Sequence, residues 1–226
     1  MIEIEPKQVA ALQAVAEVQD GMLVGLGTGS TAAYFIDGLG ERVREGLQIQ
    51  AVATSRASEA QARTYGIEVL EHIQREIDLT VDGADEIDPA LNLVKGLGGA
   101  LLREKVVAAA SRRMIVIATE DKLVKWLGRG PLPVEVLPLL WEHTASRLNA
   151  LGLRTEPRQA DSVPFVTDNG NLILDCRFEG PRDIDELAAE LDMLPGVIGH
   201  GLFLGMATLA FIGGPSGVRS VGPAGF

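Results

Sequence analysis

Short, uninterrupted apolar runs separated by stretches of helical periodicity make up the first half of the chain. Val9, Leu12, Val15, Ala16 and Val18 recur at mostly helical spacing over residues 7–18, and Asp20-Gly21 closes that helix. Residues 22–26 form an apolar run of strand length, and residues 31–39 read as a helix. Residues 49–54 predict a second strand, then a helix over 56–65 with Gly66 as its stop. Further strands are predicted at 67–70, 77–81 and 114–119, with an alanine- and leucine-rich helix at 100–111 between the last two. Strands without polar alternation are buried on both faces, as in a parallel sheet. The pattern therefore predicts an α/β fold, a parallel sheet with helices on both faces and right-handed crossovers.

The pattern changes at Pro131. Pro131, Pro133 and Pro138 argue against a central strand there, because each proline removes a ladder donor. A helix is predicted at 139–150 and a strand at 153–156. Runs 164–167 and 172–178 flank Asp168-Asn169-Gly170-Asn171, a hairpin signal, and 183–193 read as another helix. From about Gly201 the chain returns to apolar strand material. The expected division is a larger α/β domain of residues 1–128 and 201–226, and a smaller α+β domain of residues 129–200.

Composition narrows the function. The 226 residues suffice for one large domain or a main domain with a companion, and 46% hydrophobic with 23% charged residues is ordinary for a soluble protein. A net charge of −11 argues against a nucleic-acid partner, which needs clustered Lys and Arg. It leaves room for an anionic small molecule held by a few focused cations and backbone N–H groups. The single cysteine, Cys176, excludes an internal disulfide, and its alternating surroundings read as a buried strand. No apolar run approaches the ~20 residues of a membrane span, and no basic-then-apolar leader is visible. A cytoplasmic protein without a membrane partner is expected.

Two motifs carry chemistry. Gly25-Leu26-Gly27-Thr28-Gly29-Ser30-Thr31-Ala32 joins the first strand to its helix, where glycines and a helix N-terminus make an anion cradle. The alternative is a plain glycine-rich turn with a Ser/Thr cap. A dinucleotide fingerprint is disfavoured by Ser30 and by the absence of an acidic residue in Ala53-Thr54-Ser55-Arg56, and a Walker lysine is missing. The second motif is Asp82-Gly83-Ala84-Asp85, then Lys95-Gly96-Leu97-Gly98-Gly99 and Glu104. Asp82 and Asp85 follow a strand at its carboxyl end, as do the 28–31 segment and Asp121-Lys122, so three distant segments converge on one crevice. Turn formation and capping would equally explain the two aspartates. Glu104, between Arg103 and Lys105, reads on its own as a solvated helix position. Scattered His72, His143 and His200, together with the nearby Lys95, argue against a metal.

At these residues the chain resembles the A-type ribose-5-phosphate isomerases. The resemblance covers nearly the whole length. It extends beyond both motifs to Arg103-Glu104-Lys105, Asp121-Lys122, Pro133-Val134-Glu135-Val136, Thr167-Asp168-Asn169-Gly170-Asn171 and Gly201-Leu202-Phe203. It implies a Rossmann-like domain with a smaller α+β domain, a homodimer or homotetramer, and cofactor-free interconversion of D-ribose 5-phosphate and D-ribulose 5-phosphate. Glu104 matches the catalytic base. Thr28, Gly29, Ser30, Thr31, Asp82, Gly83, Ala84, Asp85, Lys95, Gly96, Leu97, Gly98 and Lys122 match substrate-binding positions, and Lys7 a further phosphate contact.

Chemically, one carboxylate could shuttle a proton between C2 and C1 through an enediolate. Lys95 and the 96–99 N–H groups would then stabilise oxyanions, Asp82 and Asp85 would hold hydroxyls, and Thr28, Ser30, Thr31 and Lys122 would anchor phosphate. Leu97 replaces a usual glycine and would be strained at positive φ. Ile198-Gly199-His200-Gly201 departs from the family pattern at a junction or subunit contact. The rival readings are a non-catalytic sugar-phosphate sensor of the same fold and a Rossmann oxidoreductase.

Overall fold

A computed structural model of the chain describes residues 5–222. The outer ends of the expected larger domain, residues 1–4 and 223–226, lie outside the described residues. In chain order, α1 (Pro6–Val15) leads to β1 (Leu23–Leu26), α2 (Ser30–Arg44), β2 (Gln50–Ala53), α3 (Arg56–Thr64) and β3 (Glu68–Val69). Then come β4 (Leu79–Asp82), the short β5 (Glu86–Ile87) and β6 (Leu93–Val94), α4 (Leu101–Ala109) and β7 (Met114–Thr119). The next stretch holds β8 (Leu132–Val136), α5 (Trp141–Ala150), β9 (Arg154–Pro157), β10 (Gln159–Ala160), β11 (Val163–Pro164) and β12 (Leu172–Arg177). After α6 (Ile184–Asp192) the chain closes with β13 (Val197–His200), β14 (Leu202–Phe203), β15 (Leu209–Gly214) and β16 (Gly217–Val221).

Seven strands form the main sheet in the order β16-β15-β7-β4-β1-β2-β3, parallel except for β16. From β1 the chain winds outward to β2 and β3, and from β4 it winds the other way to β7. The order therefore reverses between β1 and β4, where open α/β sheets place their ligands.

Alternation sorts the side chains of each strand into two cores. Val24, Leu26, Leu79, Val81, Ile115 and Ile117 pack with Phe35, Ile36 and Leu39 of α2 and the alanines of α1. Their neighbours point the other way, Leu23 toward Val107 of α4, and Met114, Val116 and Ala118 toward Phe203. Asp82 follows Val81 and so falls on the α4 side. No helix among the described residues is long and apolar enough to cross a membrane.

A four-stranded antiparallel sheet, β13-β8-β12-β9, packs against α5 and α6 around its own core. Here one expectation fails: β8 carries Pro133 and is nevertheless a central strand between β13 and β12. The reason is where the proline falls. β13 pairs only with Val134–Val136, so Pro133 lies opposite Gly201, just past the end of that strand. Gly201 N–H donates to the Pro133 carbonyl at 2.8 Å, and the Gly201 carbonyl accepts instead from the Lys95 N–H at 2.9 Å. Pro131 and Pro138 lie outside the strand.

The 168–171 signal gives a turn without a long hairpin. Gly170 N–H donates to Thr167 O at 2.9 Å, and beyond that turn only Val166 and Leu172 bridge. β12 pairs with β8 and β9 instead. The buried Glu135 carboxylate gathers the turn, accepting from Thr167 Oγ1, Asn169 Nδ2 and Asn171 Nδ2 at 2.9, 3.2 and 2.9 Å. His200 is internal: Nε2 lies 3.1 Å from Asp192 Oδ1, and Nδ1 accepts from Leu202 N–H at 3.2 Å. Burial and the neighbouring Lys105 lower its pKa to about 4, so the ring packs neutral.

Candidate active site

The cleft at the switch point has a volume of about 280 Å³. Its walls come from the loops after β1, β4 and β7, the turn after β6, and the first turns of α1 and α4. Gly27 is required for the floor, because a Cβ there would sit 2.2 Å from Asp82 Oδ1. Asp82 Oδ1 accepts from the N–H groups of Thr28 and Gly83 at 3.1 and 2.7 Å, which ties the first loop to the second.

The nine residues between Asp85 and Lys95 form a folded-back hairpin. Asp88 Oδ1 accepts from Ala90 N and Asn92 N, turning the chain, and Glu86 pairs with Val94. Asp85 and Lys95 are thereby neighbours across the hairpin. Lys95 is 3% exposed and lies at the floor of the cleft between two carboxylates, at 3.0 Å from Asp82 Oδ2 and 3.3 Å from Glu104 Oε2. Its ammonium also donates to Gly83 O at 2.6 Å.

Glu104 comes from α4, where Leu101, Glu104, Val107 and Ala108 form the buried face. It is 4% exposed, so the reading of this residue as a solvated helix position is corrected. Helical spacing from Leu101 and to Val107 and Ala108 places it inward, a signal that its charged neighbours Arg103 and Lys105 obscured. Asp82 Oδ2 and Glu104 Oε2 make no conventional hydrogen bond among the described residues and meet Lys95 as bare ion contacts.

Burial and the adjacent Asp82 carboxylate push the Glu104 pKa up to about 8, against the opposing pull of Lys95. Burial likewise raises Asp82. For Lys95, burial works against the charge, but Asp82 and Glu104 outweigh it and hold the amine above the ordinary lysine range. The result is a permanent cation beside a carboxyl that changes charge near neutrality.

The opposite end of the cleft is lined by Lys7, Thr28, Gly29, Ser30, Thr31, Thr119, Asp121 and Lys122. Ser30 and Thr31 open α2, whose first N–H groups have no intrahelical acceptor. Lys7 Nζ donates to Ser30 Oγ at 3.1 Å, and Lys122 Nζ lies 3.1 Å from Asp121 Oδ2. The Thr119 hydroxyl and Lys122 keep the Asp121 carboxyl below the ordinary range.

Most of the expected residues converge: Lys7, Thr28–Thr31, Gly83, Ala84, Asp85, Lys95, Gly96, Gly98, Glu104 and Lys122 all line the cleft. Two do not. Asp82, 1% exposed, lies below the floor with its oxygens occupied by Thr28, Gly83 and Lys95, so it is not placed to hold a sugar hydroxyl. Leu97 sits at the rim, and its N–H donates to Asp85 Oδ2 at 2.9 Å. Its φ is not positive, so the anticipated strain is absent. Thr28 is half committed, its hydroxyl lying 2.7, 2.8 and 3.3 Å from those of Thr54, Ser55 and Ser58 behind the loop. Thr119 was not expected, although it ends β7 at the same sheet edge. Cys176 is buried on β12 away from the cleft, and burial pushes its thiol up to about 12.

The family model for ribose 5-phosphate isomerase A (phosphoriboisomerase A) matches residues 50–217. The ribose-5-phosphate isomerase A of Sphingopyxis alaskensis is 52% identical over 202 residues, 89% of either chain. A solved ribose 5-phosphate isomerase from Plasmodium falciparum superposes with a TM-score of 0.93 at 37% identity, over 96% of this chain and 97% of that one. A solved D-ribose-5-phosphate isomerase in complex with phospho-erythronic acid superposes with a TM-score of 0.92 at 38% identity, over 98% of this chain and all (100%) of that one.

Proposed function

The chain belongs to the ribose 5-phosphate isomerase A family, and from that premise we propose how its cleft performs the reaction. The substrate pair is D-ribose 5-phosphate and D-ribulose 5-phosphate. The open-chain aldose lies with its phosphate toward Lys7, Ser30, Thr31 and Lys122 and its C1–C2 end over Glu104. The Glu104 carboxylate takes the proton from C2, giving an enediolate, and returns it to C1. The hydroxyl proton of O2 passes to O1, so atoms and charge balance. Lys95 and the N–H of Gly98 face the charge that develops on the two oxygens. Asp85 holds a hydroxyl and fixes the turn through Leu97. Asp82 acts from below, keeping Lys95 charged and Glu104 basic.

The observation that carries this reading is the buried Glu104–Lys95–Asp82 array opening onto a cleft whose far end is cationic. A general base works best with a pKa near the working pH, and burial supplies that shift here. A sensor of the same fold would gain nothing from a buried base, and its desolvation would only cost stability.

The same reading assigns the chemistry to residues 1–128 and 201–226, and a supporting role to residues 129–200. It places the protein in a reducing cytoplasm, as the free Cys176 suits. It also takes the protein to be a homodimer or homotetramer, supported by Leu139, Leu140 and Met193, exposed by 70, 67 and 81%.

The test is an assay of ribose 5-phosphate conversion with purified wild type and Glu104→Gln. Turnover should fall by about 10³-fold in the variant while sugar-phosphate binding persists. Near-normal turnover in Glu104→Gln would remove Glu104 from the role, and an inactive wild type would remove the substrate.

A further inference from the structure

The Gly96–Gly99 turn is gripped from outside the cleft by an arginine of the smaller sheet region. Arg158 follows β9 and is only 12% exposed. Its guanidinium forks onto Asp175 of β12, with Nε donating to Oδ2 at 2.9 Å and Nη2 to Oδ1. The remaining arm, Nη1, donates to the carbonyls of Gly96 and Leu97 at 2.8 and 3.0 Å. Phe165 lies under the same guanidinium and fills the space beside Gly99, where a Cβ would come within 2.4 Å of the ring.

This grip has a directional consequence. In a trans peptide the C=O and the following N–H point opposite ways, and no cis bond occurs among the described residues. The Gly96 carbonyl, which also accepts from the Gly99 N–H at 3.0 Å, faces outward and turns the Leu97 N–H inward, where it meets Asp85 Oδ2 at 2.9 Å. Holding the Leu97 carbonyl outward turns the Gly98 N–H inward by the same rule. Gly98 lines the cleft, and its N–H has no acceptor among the described residues. A Cβ on Gly98 would meet only open space.

We propose that Arg158, anchored by Asp175, is a positioning residue for isomerisation: by holding the outer carbonyls of the glycine turn it aims the Gly98 N–H at the enediolate oxygen. The proposal rests on the isomerase reading of the cleft. It gives the smaller sheet a part in catalysis, although Arg158 itself lines no wall of the site. A donor fixed before charge develops needs no reorganisation as the reaction proceeds, whereas a freely rotating peptide plane would.

The test uses Arg158→Ala, Arg158→Lys and Asp175→Asn in the full chain, with folding checked by circular dichroism and thermal melting. Wild-type activity and the loss in Glu104→Gln establish the cleft reading separately. In folded Arg158→Ala, kcat should drop about ten- to hundredfold with KM for ribose 5-phosphate within about twofold of wild type. Inhibition by phospho-erythronic acid should weaken in step with kcat/KM, inhibition by inorganic phosphate should not change, and added guanidinium should restore part of kcat. Arg158→Lys and Asp175→Asn should lose less, and they carry the test if the alanine variant does not fold. Unchanged kcat in the folded variants would overturn the proposal. So would a loss confined to KM, or phospho-erythronic acid binding as tightly as in wild type.

Discussion

The two ends of the cleft solve opposite problems. At the Glu104 end, Lys95 and Glu104 are 3% and 4% exposed and share one buried charge cluster with Asp82. At the Lys122 end, the lysine is 37% exposed and pairs with a surface aspartate, while the backbone at the start of α2 supplies further donors. Burial gives the first group shifted pKa values and fixed geometry at a cost in stability. Exposure gives the second group easy access at almost no cost. On the proposed mechanism, tuned chemistry and simple capture are thus separated within one crevice.

The sharpest break of that contrast is Lys95→Ala. It leaves two carboxylates facing each other without a cation, so conversion should be abolished and stability should fall by about 3–5 kcal/mol in urea unfolding. Lys122→Ala, by contrast, should leave the unfolding midpoint unchanged. If both variants were equally stable, the two ends would not differ in kind.

The pH profile comes next in size. Glu104 must be ionised to accept a proton, and its pKa of about 8 means kcat/KM should fall about tenfold per pH unit below that value. The linkage to folding runs against activity. A carboxyl whose folded pKa lies above its unfolded value contributes stability fully below about 4.5 and loses it as pH rises through about 8. Melting temperature should therefore decline across the range in which activity climbs, and Glu104→Gln should flatten that decline. A flat kcat/KM between pH 6 and 8 would show that burial has not tuned this base.

Lys122→Ala should raise KM about five- to tenfold with kcat nearly unchanged, as expected for one charge-assisted contact at a solvated site. Because exposed charges are screened, the wild-type KM should also rise with salt, which steady-state assays at graded ionic strength will read. The smallest effect belongs to Leu97→Gly. The backbone N–H to Asp85 is kept, so kcat should stay within about twofold, and glycine's added freedom should cost about 0.5–1 kcal/mol in unfolding measurements.

The sequence foretells most of the main sheet because its strands are apolar on both faces and its helices end on clear stops such as Gly66. The convergence of three loops on one edge follows from strand polarity alone. What stayed hidden depends on register. Pro133 looks like a strand breaker until its neighbour is seen to end one residue earlier. Asp82 looks like a ligand group until alternation after Val81 sends it under the floor. The two-residue strands β5, β6 and β14 are too short for any periodicity to show. Arg158, in a polar stretch with no motif, gives no sign of reaching back to Gly96 across 62 residues. Local charge pattern alone leaves Glu104 on the surface, and the family resemblance names it as the expected base.

The proline in β8 has one more consequence. An ordinary residue at 133 would present an N–H to the carbonyl of Gly201 and let β13 zip onward along β8. Instead, the ring carbon Cδ of Pro133 crowds that position, 3.0 Å from where a Gly201 Cβ would stand, and the carbonyl is left for Lys95. The join between β8 and the segment that follows β6 therefore works like a keyed lock. A missing proton forbids the competing pairing, and the segment admitted in its place carries the buried ammonium that meets Asp82 and Glu104.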